Sequence, residues 1–201
     1  MKKHPLVWST LFVLLAIVFA WLSPLEQTLG SKARFVYFHG AWVWVGILGF
    51  ILAAILGAAG LITRHSPIQQ WSRAWGRTSL FFWLLFLPMS LYAMQANWGG
   101  LYLDEPRWQI PLNLAIIGLL LQVGLAFFPL VWSAVGNLLF GLYFIWSMWG
   151  TQAVLHPDSP IFNAEAGSIQ IFYIGMVFIL LLAAWQQARW FYQRSEKHLR
   201  S

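Results

Sequence analysis

Apolar positions along this chain fall into long blocks, separated by short polar stretches. A basic head, Met1-Lys-Lys-His-Pro, precedes an apolar block from Leu6 to Leu22. Ser23 to Lys32 is turn-rich, with Pro24 and Gly30, and a second block then runs from about Phe35 to Ile62. Further blocks follow from about Ser79 to Gln95, Ile110 to Phe128, Ala134 to Trp149 and Ile169 to Ala188. Long uncharged blocks read as membrane-spanning helices, because a helix satisfies its own backbone hydrogen bonds where no water can. The expected fold is all-α: a polytopic integral membrane protein forming a single domain over residues 1–201. Its six transmembrane helices are expected at about 6–22, 35–62, 79–95, 110–128, 134–149 and 169–188. No clean small-x-small cleavage site follows Phe19-Ala-Trp-Leu-Ser-Pro24, so the first block reads as a retained helix and not as a leader.

The second block opens with Arg34-Phe-Val-Tyr-Phe-His-Gly-Ala-Trp-Val-Trp44, which places His39 about one turn inside an apolar run. At 1.5 Å per residue the block is roughly 40 Å long, against a hydrocarbon core of about 30 Å, so its first turn stands in the interface. Gly46, Ala53, Gly57 and Gly60 follow His39 at +7, +14, +18 and +21, near one helical face. Small residues let helix backbones approach in lipid, so His39 is expected to point into the bundle.

Composition agrees with lipid as the solvent: 60% of the 201 residues are hydrophobic and 9% are charged. A formal charge of +6 in a soluble chain would point to nucleic acid. Here the cations sit at the ends of apolar blocks, which is a topology signal, and nucleic-acid binding is not expected. One side holds Lys2, Lys3, Arg64, Arg73, Arg77, Arg189, Arg194, Lys197 and Arg200; the other holds Lys32, Arg34 and Arg107. The richer side is expected to be cytoplasmic, with both termini on it. The polar stretch Thr63 to Thr78 is expected as an inner connection. The absence of cysteine excludes disulfides and thiolate ligands from this chain.

His39 and His156 fall on the outer side, beside an aromatic loop from Trp98 to Trp108. Two outer imidazoles among aromatic rings fit a flat, iron-bearing ligand, since imidazole is an axial ligand for haem iron. Arg34 and Arg107 match carboxylates such as propionates through a bidentate fork. The same residues have plainer roles. His39 can bond a helix carbonyl, His156 can be a solvated loop residue, and the tryptophans can form an interfacial belt. A proton-coupled transporter would carry intramembrane acids. The spans contain none; Asn113, Gln122 and Asn137 are their main polar residues, suited to bonding between helices.

Three segments together resemble the haem-handling membrane proteins of cytochrome c biogenesis, the CcmC/CcsA-like group, over most of the chain from Arg34 onward. Arg34 to His39 with Ala41-Trp42 is similar to that family's aromatic lead into His-x-Pro-x-Ala-Trp, two residues shorter and without the proline. Trp98-Gly-Gly-Leu-Tyr-Leu-Asp-Glu-Pro-Arg107 resembles its Trp-Gly-x-Trp-Trp-x-Trp-Asp-x-Arg segment. Trp98, Gly99 and Arg107 match and Tyr102 keeps an aromatic ring. Glu105 replaces the aspartate, and Leu101 and Asp104 replace tryptophans. Trp146 to His156 resembles its Trp-Trp-x-Thr-Leu-His, with about two extra residues.

The resemblance implies a carrier of haem, of b type and held non-covalently, on the outer, periplasmic side of the inner (plasma) membrane. It implies delivery to a partner or apocytochrome and no catalysis. The implied axial ligands are His39 and His156. Trp42, Trp98, Tyr102 and Trp108 are implied to pack on the macrocycle and Arg107 to meet a propionate. The implied partners are the bilayer, haem exporter subunits and a haem chaperone. Two other functions remain: a structural subunit of an assembly complex that has lost haem, favoured by the missing tryptophans, and a small-solute transporter.

Overall fold

The computed structural model describes residues 4–26, 29–149 and 167–200, with side chains through residue 195. Among these are six α-helices: α1 (Pro5–Trp21), α2 (Ala33–Ile62), α3 (Ser66–Trp98), α4 (Pro106–Gly124), α5 (Leu130–Trp149) and α6 (Gly167–Arg200). A 3₁₀ turn at Leu125–Phe127 extends α4. No strand occurs among the described residues; Glu26 and Gly30 form one isolated bridge. Five helices, α2 to α6, are long and apolar enough to cross a membrane, and α1 is a shorter apolar helix of 17 residues.

The helix ends sort into two groups. Phe19 near the end of α1 stacks on Phe172 near the start of α6 at 3.9 Å. Lys32 Nζ, ahead of α2, donates to the Ala96 carbonyl near the end of α3 at 2.8 Å. At the opposite end Gln69 Nε2 donates to the Gly60 carbonyl, and Gln70 Nε2 to that of Tyr192. The sorting agrees with the expected division of cations. Lys32, Arg34 and Arg107 lie at the first end, and Arg64, Arg73, Arg77, Arg189 and Arg194 toward the second.

The small-residue face of α2 does what its spacing predicts. A Cβ built on Gly46 would stand 3.1 Å from the Trp83 ring of α3, and one on Gly57 would stand 2.6 Å from the Ala134 carbonyl oxygen of α5. Glycine at these positions is a condition of close packing, since each missing Cβ is occupied by a neighbour. Polar bonds lock the same seam. Ser72 Oγ donates to the Ala53 carbonyl (2.8 Å), Asn137 Nδ2 to the Ser72 carbonyl (2.9 Å), and Gln122 Nε2 to Asn137 Oδ1 (2.7 Å).

One expectation is corrected. The polar stretch read as an inner connection is the first part of α3, which starts at Ser66 and not near Ser79. Low hydropathy there does not forbid a helix: Gln69, Gln70, Ser72 and Thr78 are buried within the bundle, and Gln, Arg, Ala and Trp are compatible with a helix. The true connection is Thr63-Arg64-His65, where Arg64 takes the left-handed conformation at φ 53°.

Candidate functional site

The candidate site is the end of the bundle formed by the start of α2, the end of α3 and the start of α4. His39 lies on the second turn of α2 and is half-buried. Its ring lies 5.4 Å from that of Phe86 on α3 and 6.3 Å from that of Phe35, nearly parallel to the latter. Phe35 in turn meets Tyr92 edge-on at 4.6 Å. The imidazole thus faces α3, as the stripe of small residues implied. Its Nδ1 is enclosed within the bundle.

The α3–α4 loop supplies the rim. Gly99 ends α3 at φ 71°, a left-handed conformation suited to glycine, and its N–H bonds the Gln95 carbonyl. Trp98, one residue earlier, is half-buried. Tyr102 is 44% exposed; its backbone N–H points at Met94 Sδ (2.8 Å) and its hydroxyl at the Trp98 carbonyl (3.5 Å). The half-buried Arg107 and the buried Trp108 stand in the first turn of α4.

Two of the expected ring platforms are walls of the protein's own core. Trp42 is 5% exposed, lies tilted against Phe82 with ring centres 4.5 Å apart and donates its indole N–H to the Phe82 carbonyl at 2.8 Å. Trp108 is 6% exposed. Trp98 and Tyr102 keep the more accessible rings. His156 lies outside the described residues. Among the described residues no group of three or more His, Asp or Glu is placed to hold a bare metal ion. An axial haem site needs only one or two imidazoles, and His39 is the described imidazole at this end; it packs level with Phe86, twelve residues or about 18 Å of helix before Trp98.

A feature that sequence reasoning missed adjoins this end. A cleft of about 350 Å³ opens between α4 and α5, lined by Ile110, Asn113, Leu114, Tyr143, Trp146 and Ser147. Gln122 and Asn137 make the expected interhelical bond, whereas Asn113 is exposed and lines this cleft. The signal was the mixture of Tyr143, Trp146 and Ser147 at i, i+3 and i+4, which shares one helical face.

No family model matches the chain. A similar protein is known. A putative cytochrome c biosynthesis ccmC-like mitochondrial protein from Marchantia polymorpha is 25% identical over 87 residues, covering 43% of this chain and 38% of that protein. The chain thus spans well under half the length of the curated relative it matches.

Proposed function

We propose that this chain acts in cytochrome c biogenesis by holding haem, non-covalently, at the end of the bundle that carries His39. The observation that carries this reading is His39 itself. It is a half-buried imidazole on a glycine-lined helix, bracketed by Phe35 and Phe86, in the half of the bundle that also carries Trp98, Tyr102 and Arg107. The ccmC-like relative supports the same process. By the positive-inside rule the basic-rich end faces the cytoplasm, which puts His39 on the outer face of the inner membrane.

In this reading His39 and, by its motif position, His156 would hold the haem iron through their imidazoles. Haem supplies an iron centre whose axial bonds can be exchanged, which is what a carrier needs for release. Arg107 holds a propionate through its fork, and Trp98 and Tyr102 exclude water from the exposed edge. Haem exporter subunits and a haem chaperone are the partners this role requires.

A second reading, a scaffold subunit that has lost haem, is favoured by one observation. Trp42 is committed to the core through its bond to the Phe82 carbonyl, and the loop lacks the tryptophans that Leu101 and Asp104 replace. Absorption spectra of the detergent-purified protein, oxidised and reduced, separate the two. A Soret band with low-spin features that weakens or shifts in both His39→Ala and His156→Ala is expected for the carrier. No band after haem is supplied leaves the scaffold.

A further inference from the structure

Two arginines that the sequence placed in a connection stand inside α3, and the structure treats them differently. Arg73 is held by the protein. Its Nε donates to Ser133 Oγ at 2.6 Å, and one Nη donates to the carbonyls of Leu125 (3.2 Å) and Phe128 (2.6 Å). It thereby closes the α4–α5 connection. Arg77, one turn further along α3, is half-buried and makes no hydrogen bond or ion pair to any described residue. No Asp or Glu occurs between Glu26 and Asp104, and the one acid on the basic-rich side, Glu196, lies on α6 beyond Tyr192, which sits level with Gln70 and so on the far side of Gln70 from Arg77.

The level of Arg77 in the membrane follows from the neighbouring helices. α4 has 19 residues and α5 has 20, so each spans about 30 Å, one hydrocarbon thickness. Their connection therefore marks the edge of the hydrocarbon. The exposed rings around it agree: Phe127 is 84% exposed and Trp132 55%. Arg73 bonds to this connection, so Arg77 begins about 6 Å inside the edge. An arginine at that depth extends its side chain back toward the headgroups, keeping its stem in apolar surroundings. The like charge of Arg73 one turn away raises the local demand for an anion.

We propose that Arg77, reinforced by Arg73, binds the phosphodiester of an anionic phospholipid at the basic-rich end of the bundle. The shared chemistry is phosphate recognition by a guanidinium; a lipid is favoured over free phosphate because the donor sits inside the hydrocarbon edge.

The test is native mass spectrometry of the full chain released from bilayers of phosphatidylglycerol and phosphatidylcholine in equal parts. Wild type is expected to retain phosphatidylglycerol several-fold over phosphatidylcholine. Arg77→Gln should lose that excess, and Arg64→Gln, a charge removal in the exposed α2–α3 turn, should keep it. Equal retention by Arg77→Gln overturns the proposal, as does equal loss in Arg64→Gln, which would mean diffuse attraction. Displacement of the lipid by millimolar inorganic phosphate assigns the site to free phosphate and overturns the lipid. An acidic co-purifying protein in place of lipid overturns it too. Should Arg77→Gln fail to fold, wild type alone decides: phosphatidylglycerol, and not phosphatidylcholine, must raise its unfolding midpoint.

Discussion

Gly57 of α2 packs directly on Ala134 of α5: a Cβ on Gly57 would stand 2.6 Å from the Ala134 carbonyl oxygen. The obstacle is backbone, which cannot rotate away, so Gly57→Ala has to push the two helices apart. A loss of about 1–3 kcal/mol is expected, the usual cost of overpacking. Gly124→Ala is the matched control, because nothing lies within 4 Å of its Cβ. Thermal unfolding in detergent should show a clear drop for the first variant and little change or a small gain for the second.

Asn137 bridges three helices, accepting from Gln122 Nε2 and donating to the Ser72 carbonyl and hydroxyl. Asn137→Leu leaves Gln122 with an unmet buried donor. A loss of about 1–2 kcal/mol is expected, between the net value of a bond and the penalty for an orphaned group. A double-mutant cycle with Gln122→Leu should recover part of it. Strict additivity would mean the bond contributes nothing.

Arg73→Lys tests whether the α4–α5 connection needs a fork. Lysine carries a point charge and cannot serve Ser133 Oγ and two carbonyls from one planar group. The expected result is a loss of about 1–3 kcal/mol and faster proteolysis between Leu125 and Leu130. Unchanged cleavage would mean the connection closes without it.

Arg107→Ala is expected to lower haem retention several-fold if its guanidinium meets a propionate. The readout is the haem-to-protein ratio after size exclusion. Retention and transfer equal to wild type would remove that role and leave His39 as the residue to test.

Trp42→Phe separates packing from ligand contact. It keeps a ring but loses the indole bond to the Phe82 carbonyl, so the unfolding midpoint should fall with a cost of about 1 kcal/mol. Because Trp42 is in the core, any effect on haem binding should track this loss of stability. A normal midpoint with haem binding abolished would instead place Trp42 against the ligand.

Much of this architecture is written in residue order. Apolar block length determined the helices, since lipid leaves the backbone no other way to satisfy its bonds. The spacing of Gly46, Ala53, Gly57 and Gly60 determined which face of α2 is packed, because helical period and side-chain size suffice for that. The cation pattern determined which helix ends share a side.

Other features needed tertiary contacts. Hydropathy cannot tell a polar connection from a polar helix, and so the first part of α3 read as a loop. Trp42 and Trp98 are the same residue type. Only the neighbours decide that one is bonded into the core while the other stays half-exposed. The same holds for Arg73 and Arg77, one turn apart on a single helix. The position of the α4–α5 connection supplies acceptors to one and none to the other, and no pattern within α3 encodes where that connection falls.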